Sequence, residues 1–346
     1  MPLLCRVAEN MFWLSRYIER AIAVIRVVDV TTHLDLDAGD DSANDVDFWT
    51  PLLGPVVDTN LALATTGNAP LPRPSDVRYH LAYDPDNPNS LVACVQHARA
   101  AAREVRESIS TEMWEQINRT YLALSDSARV YDVEEDVSGF YRRIRDGLLL
   151  IQGLADVTIA HDEAWSFLTL GKYLERAESV ARLLKLQSYL LAGGPTHLYG
   201  DQTVRLLAVL RSAGSAEAYA RFYSLRVEPP RVLEFLLLNP SFPQSVRFSI
   251  VAAWTALECV AHVVGYSDIN TAPPVRTLGR LRAHLEHASV DEIIEEGLEQ
   301  FLNTVQTAIH QLTDSITREY FHFTPGAGRQ MAVARAAQLM AGQQQQ

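Results

Sequence analysis

Cysteine and lysine are the residues this chain has least of. Its three cysteines, Cys5, Cys94 and Cys259, are an odd number at wide spacing with no CxxC pair. That excludes a disulfide framework and a cysteine-based zinc site, and it favours a reducing compartment. Lys is so scarce that nearly all of the 30 basic residues are Arg. Arg offers a planar fork for carboxylates or phosphates and tolerates partial burial better than Lys. A salt-bridged helical interior explains that choice without any ligand.

Positive charge as a whole is short. With 42 acidic residues against those 30, the net charge is −12 and the pI about 5.3, which opposes a nucleic-acid footprint built on clustered Lys and Arg. No run reaches the roughly 18 uninterrupted apolar residues of a membrane helix. The opening MPLLCRVAEN lacks the basic start and apolar stretch of a secretory leader. The expectation is a cytoplasmic chain with neither nucleic acid nor membrane as partner.

Reaction motifs are missing too. No Gly-rich phosphate loop, GxSxG elbow, Cys-His signature or HExxH occurs. His161-Asp162-Glu163 resembles a metal corner, but consecutive residues on a helix diverge by about 100°. No metal and no cofactor are expected.

What is present is helical periodicity. At 346 residues and 48% hydrophobic, the chain is long enough to bury a sizeable core. Apolar residues at i, i+3, i+4 and i+7 predict helices over 5–34, 91–128, 133–160, 162–192, 201–213, 215–224, 229–238, 243–265, 277–287 and 289–320. No sustained alternation predicts a strand, so the fold class is all-α. Residues 35–75 read as a long irregular segment in which PLLGPVVDTNLALAT is expected to form a short helix. A loop of that length is usually functional, and it is a candidate contact surface. Residues 326–346, ending in a run of Gln, read as a weak helix passing into a disordered tail. The preceding 1–325 are expected to form one helical domain.

The chain also repeats itself. Trp13 to Ala21 (WLSRYIERA) returns as Thr169 to Ala177 (TLGKYLERA), 156 residues on. Asp84 to Leu91 (DPDNPNSL) returns as Asn239 to Val246 (NPSFPQSV), at an offset of 155, and Ile151 to Asp156 returns more weakly as Ile309 to Asp314, at 158. Three matches in the same order argue for a tandem duplication, with halves near 1–155 and 156–325. The expected architecture is a helical bundle with internal pseudo-twofold symmetry. In the second element Pro85 and Pro240 stop one helix, Pro88 and Pro243 fix an extended lead-in, and Ser90 and Ser245 cap the next helix.

The first repeated element carries the candidate site. On a helix, Leu14, Ile18, Ala21, Ile25 and Val28 form an apolar stripe, while Arg16, Glu19, Ala23 and Arg26 lie opposite and Arg20 falls at an apolar boundary. In the second copy Lys172, Glu175, Ser179 and Arg182 take the polar side and Arg176 the boundary. Adjacent residues do not face one another, so Glu19 cannot pair with Arg20, nor Glu175 with Arg176. One reading is a clamp in which each Arg meets an acid of the other half. The other is a cleft where Arg20 and Arg176, with Arg16 and Lys172, bind a carboxylate or phosphate. Trp114 and Asn118 share a second helical face, with Glu115 and Arg119 at pair spacing, and could present an aromatic ring and an amide to a ligand or pack between helices.

These segments resemble the bacterial alpha-E family, a helical domain named for its Glu-Arg motif. The likeness runs through Leu4 to Ala21, Arg106 to Asn118, Ala164 to Phe167 with Leu170 to Ala177, and Val232 to Ser245. The family usually has Ser at the position of Cys5 and Arg at that of Lys172. Its genes typically adjoin or are fused to a circularly permuted ATP-grasp protein, often with a transglutaminase-like protease homologue. ATP-grasp enzymes activate a carboxylate as an acyl phosphate and join it to an amine. The resemblance therefore implies a non-catalytic partner or substrate-presenting module of an ATP-dependent peptide or amide ligation system. The alternatives are an acyl or aminoacyl transfer enzyme whose cleft is lined by Glu19, Arg20, Glu175, Arg176 and Trp114, and a purely structural scaffold.

Overall fold

The computed structural model describes residues 3, 5–42, 74–127, 137–191, 202–223, 226–264, 266 and 268–321. The expected short helix near 51–65 and the tail 326–346 lie outside the described residues. Every regular element among them is helical. In chain order these are α1 (Cys5–Ser42), α2 (Pro74–Ala82), α3 (Leu91–Glu104), α4 (Thr111–Ser127), α5 (Val137–Thr158), α6 (Glu163–Leu186) and the single turn α7 (Ser188–Leu191). There follow α8 (Gln202–Ser212), α9 (Ala216–Tyr223), α10 (Pro229–Leu233), α11 (Val246–Val264), α12 (Pro273–His287), α13 (Val290–Glu296) and α14 (Leu298–Ile316). Both α10 and α14 run on into a π-helical turn, at Glu234–Leu238 and Thr317–Phe321.

Several boundaries depart from the periodic pattern, each for a local reason. α1 overruns the expected end at 34 because no Gly or Pro interrupts it before Gly39. The run 91–128 divides into α3 and α4, since the Ser110 hydroxyl accepts the Met113 N–H at 3.1 Å and starts a new helix inside an unbroken apolar pattern. The run 289–320 divides at Gly297, whose φ of +110° ends α13, a helix opened by a Ser289/Glu292 capping box. α12 begins four residues earlier than its apolar pattern, at Pro273, where proline is tolerated in the first turn. α6 stops at Leu186 rather than at the Gly-Gly-Pro beyond it.

The repeated proline joints have the local chemistry expected of them. Ser90 accepts the Ala93 N–H at 3.3 Å at the start of α3, and Ser245 accepts the Phe248 N–H at 3.0 Å at the start of α11. Asn87 and Asn239 brace the turns by accepting backbone N–H groups two residues on.

The long helices α1 and α6 are the centre of the fold. α1 lies against α6, α3 and α5, while α6 lies against α1, α11 and α14. Buried apolar residues from α1 through α14 join in one contiguous core. α11 is long and apolar enough to cross a bilayer by composition, and its face carrying Ile250, Ala253, Leu257 and Val260 is buried in that core. Contacts advance together along α1 and α6, from Leu3 with Glu163 to Arg16 with Glu175 and Glu19 with Arg176. The two helices therefore run parallel.

Their close approach depends on Gly171. A Cβ there would run into the Phe12 carbonyl oxygen and Ser15 Oγ, and Ser15 is the residue 156 positions earlier. Small residues thus stand at both sides of the crossing. Gly171→Ala should lower stability by about 3 kcal/mol, because overpacking forces the central pair apart. Gly153, exposed on α5 with open space around its Cα, should respond oppositely: Gly153→Ala gains about 0.5–1 kcal/mol from helix propensity. Urea unfolding followed by circular dichroism checks both, and equal effects would refute the crossing argument.

Candidate functional site

The Glu-Arg motifs meet where α1 and α6 cross. Glu175 is fully buried, and its carboxylate accepts Nε of Arg20 at 2.7 Å and Nη2 of the same guanidinium at 2.9 Å, with Arg16 Nε also at 2.7 Å. Arg182 Nη2 adds a longer contact at 3.3 Å. Glu19, also buried, accepts Arg176 Nε at 2.6 Å and Nη2 at 3.0 Å, together with the Gln152 amide. Each motif Arg therefore grips the motif Glu of the other helix in a two-pronged pair.

The free edge of each fork reaches a proline joint. Arg20 Nη1 donates to Asn89 Oδ1 at 2.9 Å and Arg176 Nη1 to the Pro243 carbonyl at 3.3 Å. The same two forks lie over aromatic rings of their own helices, Arg20 at 5.9 Å from the Tyr17 centroid and Arg176 at 5.0 Å from that of Tyr173.

Arg16 and Lys172 occupy matching positions but do different things. Arg16 Nη2 binds Glu178 Oε2 at 2.5 Å and its Nη1 binds Thr313 on α14 at 3.1 Å, while His310 supplies Glu178 with a second partner at 3.1 Å. Lys172 turns outward to Asp156 at 3.5 Å. The face of α1 carrying Arg16 and Glu19, which the helical wheel opposes to the apolar stripe, is buried: these side chains are 3% exposed because they point at α6 and not at water.

The electrostatics follow from this enclosure. Burial pushes the Glu175 carboxyl up, but Arg16 and Arg20 pull it back further, holding it well below the ordinary 4.5. Burial likewise opposes ionisation of Glu19, and Arg176, by charge and hydrogen bond, outweighs it. Glu178 is lowered against burial by its bond to His310. The guanidiniums of Arg20 and Arg176 are correspondingly raised by their acids. Arg26 moves the other way: burial lowers it, with only partial relief from Glu19. Burial lifts the Cys94 thiol to about 12, so it is no thiolate nucleophile near neutrality.

Trp114, Glu115 and Asn118 belong elsewhere. Asn118 Oδ1 accepts Arg99 Nε at 2.6 Å, and the Arg99 guanidinium lies over the rings of Trp114 and Tyr121. Glu115 is exposed, and Arg119 turns to Gln116 Oε1 at 2.8 Å. Trp114 does not line the cavity beside the motif, which corrects the cleft expected from sequence. That cavity has about 50 Å3 open to the centre of a water molecule and is bounded by α1, α6, the two proline joints and the end of α8. Among the described residues, no group of three or more His, Cys, Asp or Glu side chains could hold a metal ion.

Sequence reasoning passed over Glu178, Gln152, His310, Asn89 and Pro243 as partners. Four of them were signalled, since Gln152 and His310 belong to one repeated element and Asn89 and Pro243 to another.

The geometry predicts an acid-labile centre. Because the folded Glu19 and Glu175 carboxyls titrate below the ordinary 4.5, their contribution is complete above that value and is lost as pH falls through the folded ones. His310 has the opposite sign: raised above 6.5 by Glu178, it contributes below 6.5 and loses this as pH rises through its folded value. Glu175→Gln should cost about 3–5 kcal/mol by stranding buried guanidiniums, and should flatten stability between pH 5 and pH 3. Unfolding free energies across that range are the check, and a variant with wild-type pH dependence would contradict the assignment.

Comparison with known proteins places this geometry in a family setting. The model of the Alpha-E family, described as a predicted alpha-helical domain with a conserved ER motif, matches residues 3–321. Uncharacterized proteins of Mycobacterium bovis and of two strains of Mycobacterium tuberculosis are 25% identical over 323 residues, covering 88% of this chain and 35% of each relative. The chain thus spans about a third of the length of these curated relatives. No solved structure matches.

Proposed function

The chain belongs to the Alpha-E family, and from that premise we propose that it is a non-catalytic, substrate-presenting or partner module of an ATP-dependent peptide or amide ligation system containing a circularly permuted ATP-grasp protein. The observation that carries the non-catalytic reading is the complete mutual engagement of the motif. Glu19 and Glu175 each face a two-pronged guanidinium and are held ionised, so neither is poised to exchange a proton near neutrality. A motif used up in this way joins helices.

The same proposal takes the chain as one helical domain of two related halves, 1–155 and 156–325, arranged about a pseudo-twofold axis running between α1 and α6. Reciprocity supports it. Arg20 with Glu175 and Arg176 with Glu19 exchange under the repeat, as do the joints that each Arg reaches. The third element behaves similarly, with Gln152 of α5 serving Glu19 and His310 of α14 serving Glu178. In this reading the Glu-Arg motif is the seam of the duplication, and ligation chemistry belongs to the partner. The segment 35–75 is a candidate contact surface, of which residues 43–73 lie outside the described residues.

Co-expression with a circularly permuted ATP-grasp protein tests the partner reading. The expected outcome is co-elution in size-exclusion chromatography, with ATP hydrolysis appearing only when the ATP-grasp protein is present. Separate elution at micromolar concentrations would sink the partner assignment, and turnover by the isolated chain would sink the non-catalytic one.

A further inference from the structure

Three polar side chains at the cavity beside the motif keep groups with no hydrogen-bond partner among the described residues. Arg26 has no hydrogen-bond or ion-pair partner among the described residues, although burial is the main influence on its charge. Arg182 Nε and Ser212 Oγ are buried and donate to no protein atom. All three line the same cavity. Unsatisfied buried polar groups are rare, and two on one cavity, with the half-buried Arg26 guanidinium beside them, are what a polar ligand leaves behind.

The sign of the ligand follows from charge. Around the crossing, the guanidiniums of Arg16, Arg20, Arg26, Arg176 and Arg182 stand against the carboxylates of Glu19, Glu175 and Glu178. That leaves a surplus of two positive charges in a partly buried setting, and burial penalises such a surplus unless an anion joins it. Arg26 also borders a larger outer groove, of about 530 Å3, that continues past Arg211 and past Arg145, which Asp29 holds at 2.9 Å, to Gly214 and Glu217. Gly214, at φ +63°, lets the Arg26 guanidinium lie against its backbone, since a Cβ there would approach Cζ to 2.8 Å. The backbone is shaped to hold Arg26 between cavity and groove.

We infer that Arg26, Arg182 and Ser212 form a binding site for the oxyanion head of a small organic ligand, a carboxylate or a phosphate, whose remainder lies in the groove beside Arg145 and Arg211. The site differs from the cleft anticipated in sequence, because Arg20 and Arg176 are occupied by Glu175 and Glu19 and only form its wall. It stands whether or not an ATP-grasp protein is the partner.

Isothermal titration calorimetry of the full chain at low salt, with inorganic phosphate and succinate as probes, tests this. At least one probe should bind at a single site with a Kd of about 1 mM or tighter. Arg26→Met should weaken that binding about tenfold or more, the usual loss of a charged hydrogen bond, and Ser212→Ala about threefold. Neither variant should melt below wild type, because each removes a polar group that the protein itself leaves unpaired. Preference for phosphate assigns a tetrahedral head, and preference for succinate a planar one. Binding of neither probe, binding indifferent to Arg26→Met, or a clear fall in melting temperature for both variants would overturn the inference.

Discussion

A fully buried carboxylate is the constraint on which this structure turns. Removing an ionised Glu from water carries an effective penalty of several kcal/mol even after relaxation, so Glu175 can persist only with its lone pairs filled by charged donors. Its own helix cannot supply Arg176 for this, because neighbouring residues diverge by about 100°. The short contacts come from α1, through Arg16 and Arg20, with Arg182 of its own helix adding only a longer one, and the same logic obliges Glu19 to draw on Arg176 from α6. One dipeptide on each of two helices thereby fixes their relative register. The small residues Ser15 and Gly171 let the helices approach closely enough for these forks to reach, and the proline joints close their outer edges.

That arrangement explains why the basic residues are almost all Arg. A Lys ammonium presents one point of charge, whereas each motif guanidinium here meets a carboxylate with two donors, a joint with a third, and an aromatic ring with its face. Lys172 shows the contrast: at the position matching Arg16 it makes one long contact with Asp156 at the periphery and leaves the cross-helix network to others. The halves proposed to be related have diverged where Arg16, Glu178 and Thr313 tie α1 to α14, so the clamp is reciprocal at its centre and one-sided at its edge.

The all-helical class was legible because apolar spacing of 3.6 residues runs through nearly every segment, and the divergence of adjacent residues on a helix excluded pairing within each motif, leaving cross-pairing as one of two readings. Boundaries set by a single residue were not legible. Ser110 caps a helix inside an unbroken apolar pattern, and Gly297 reverses the backbone in the middle of another. In both places local hydrogen bonding or a positive φ overrides the period, and the period carries no trace of either.

The face of α1 bearing Arg16, Glu19 and Arg26 shows what a helical wheel cannot separate. A solvated polar face and a face of buried ion pairs have the same amphipathic pattern, since the pattern records polarity and not what the polar groups meet. Recurrence is the signal that distinguishes them. A solvated Arg is constrained by nothing nearby, whereas Arg20 and Arg176 reappear together with their flanking apolar residues, their aromatic neighbour and the joint each one reaches. Arg26 and Arg182 recur at the same 156-residue spacing, yet neither is closed off by the clamp: among the described residues one has no hydrogen-bond or ion-pair partner and the other keeps an unpaired Nε. A residue pair repeated like the clamp but left open where the clamp is shut marks the part of this interior that folding alone does not account for.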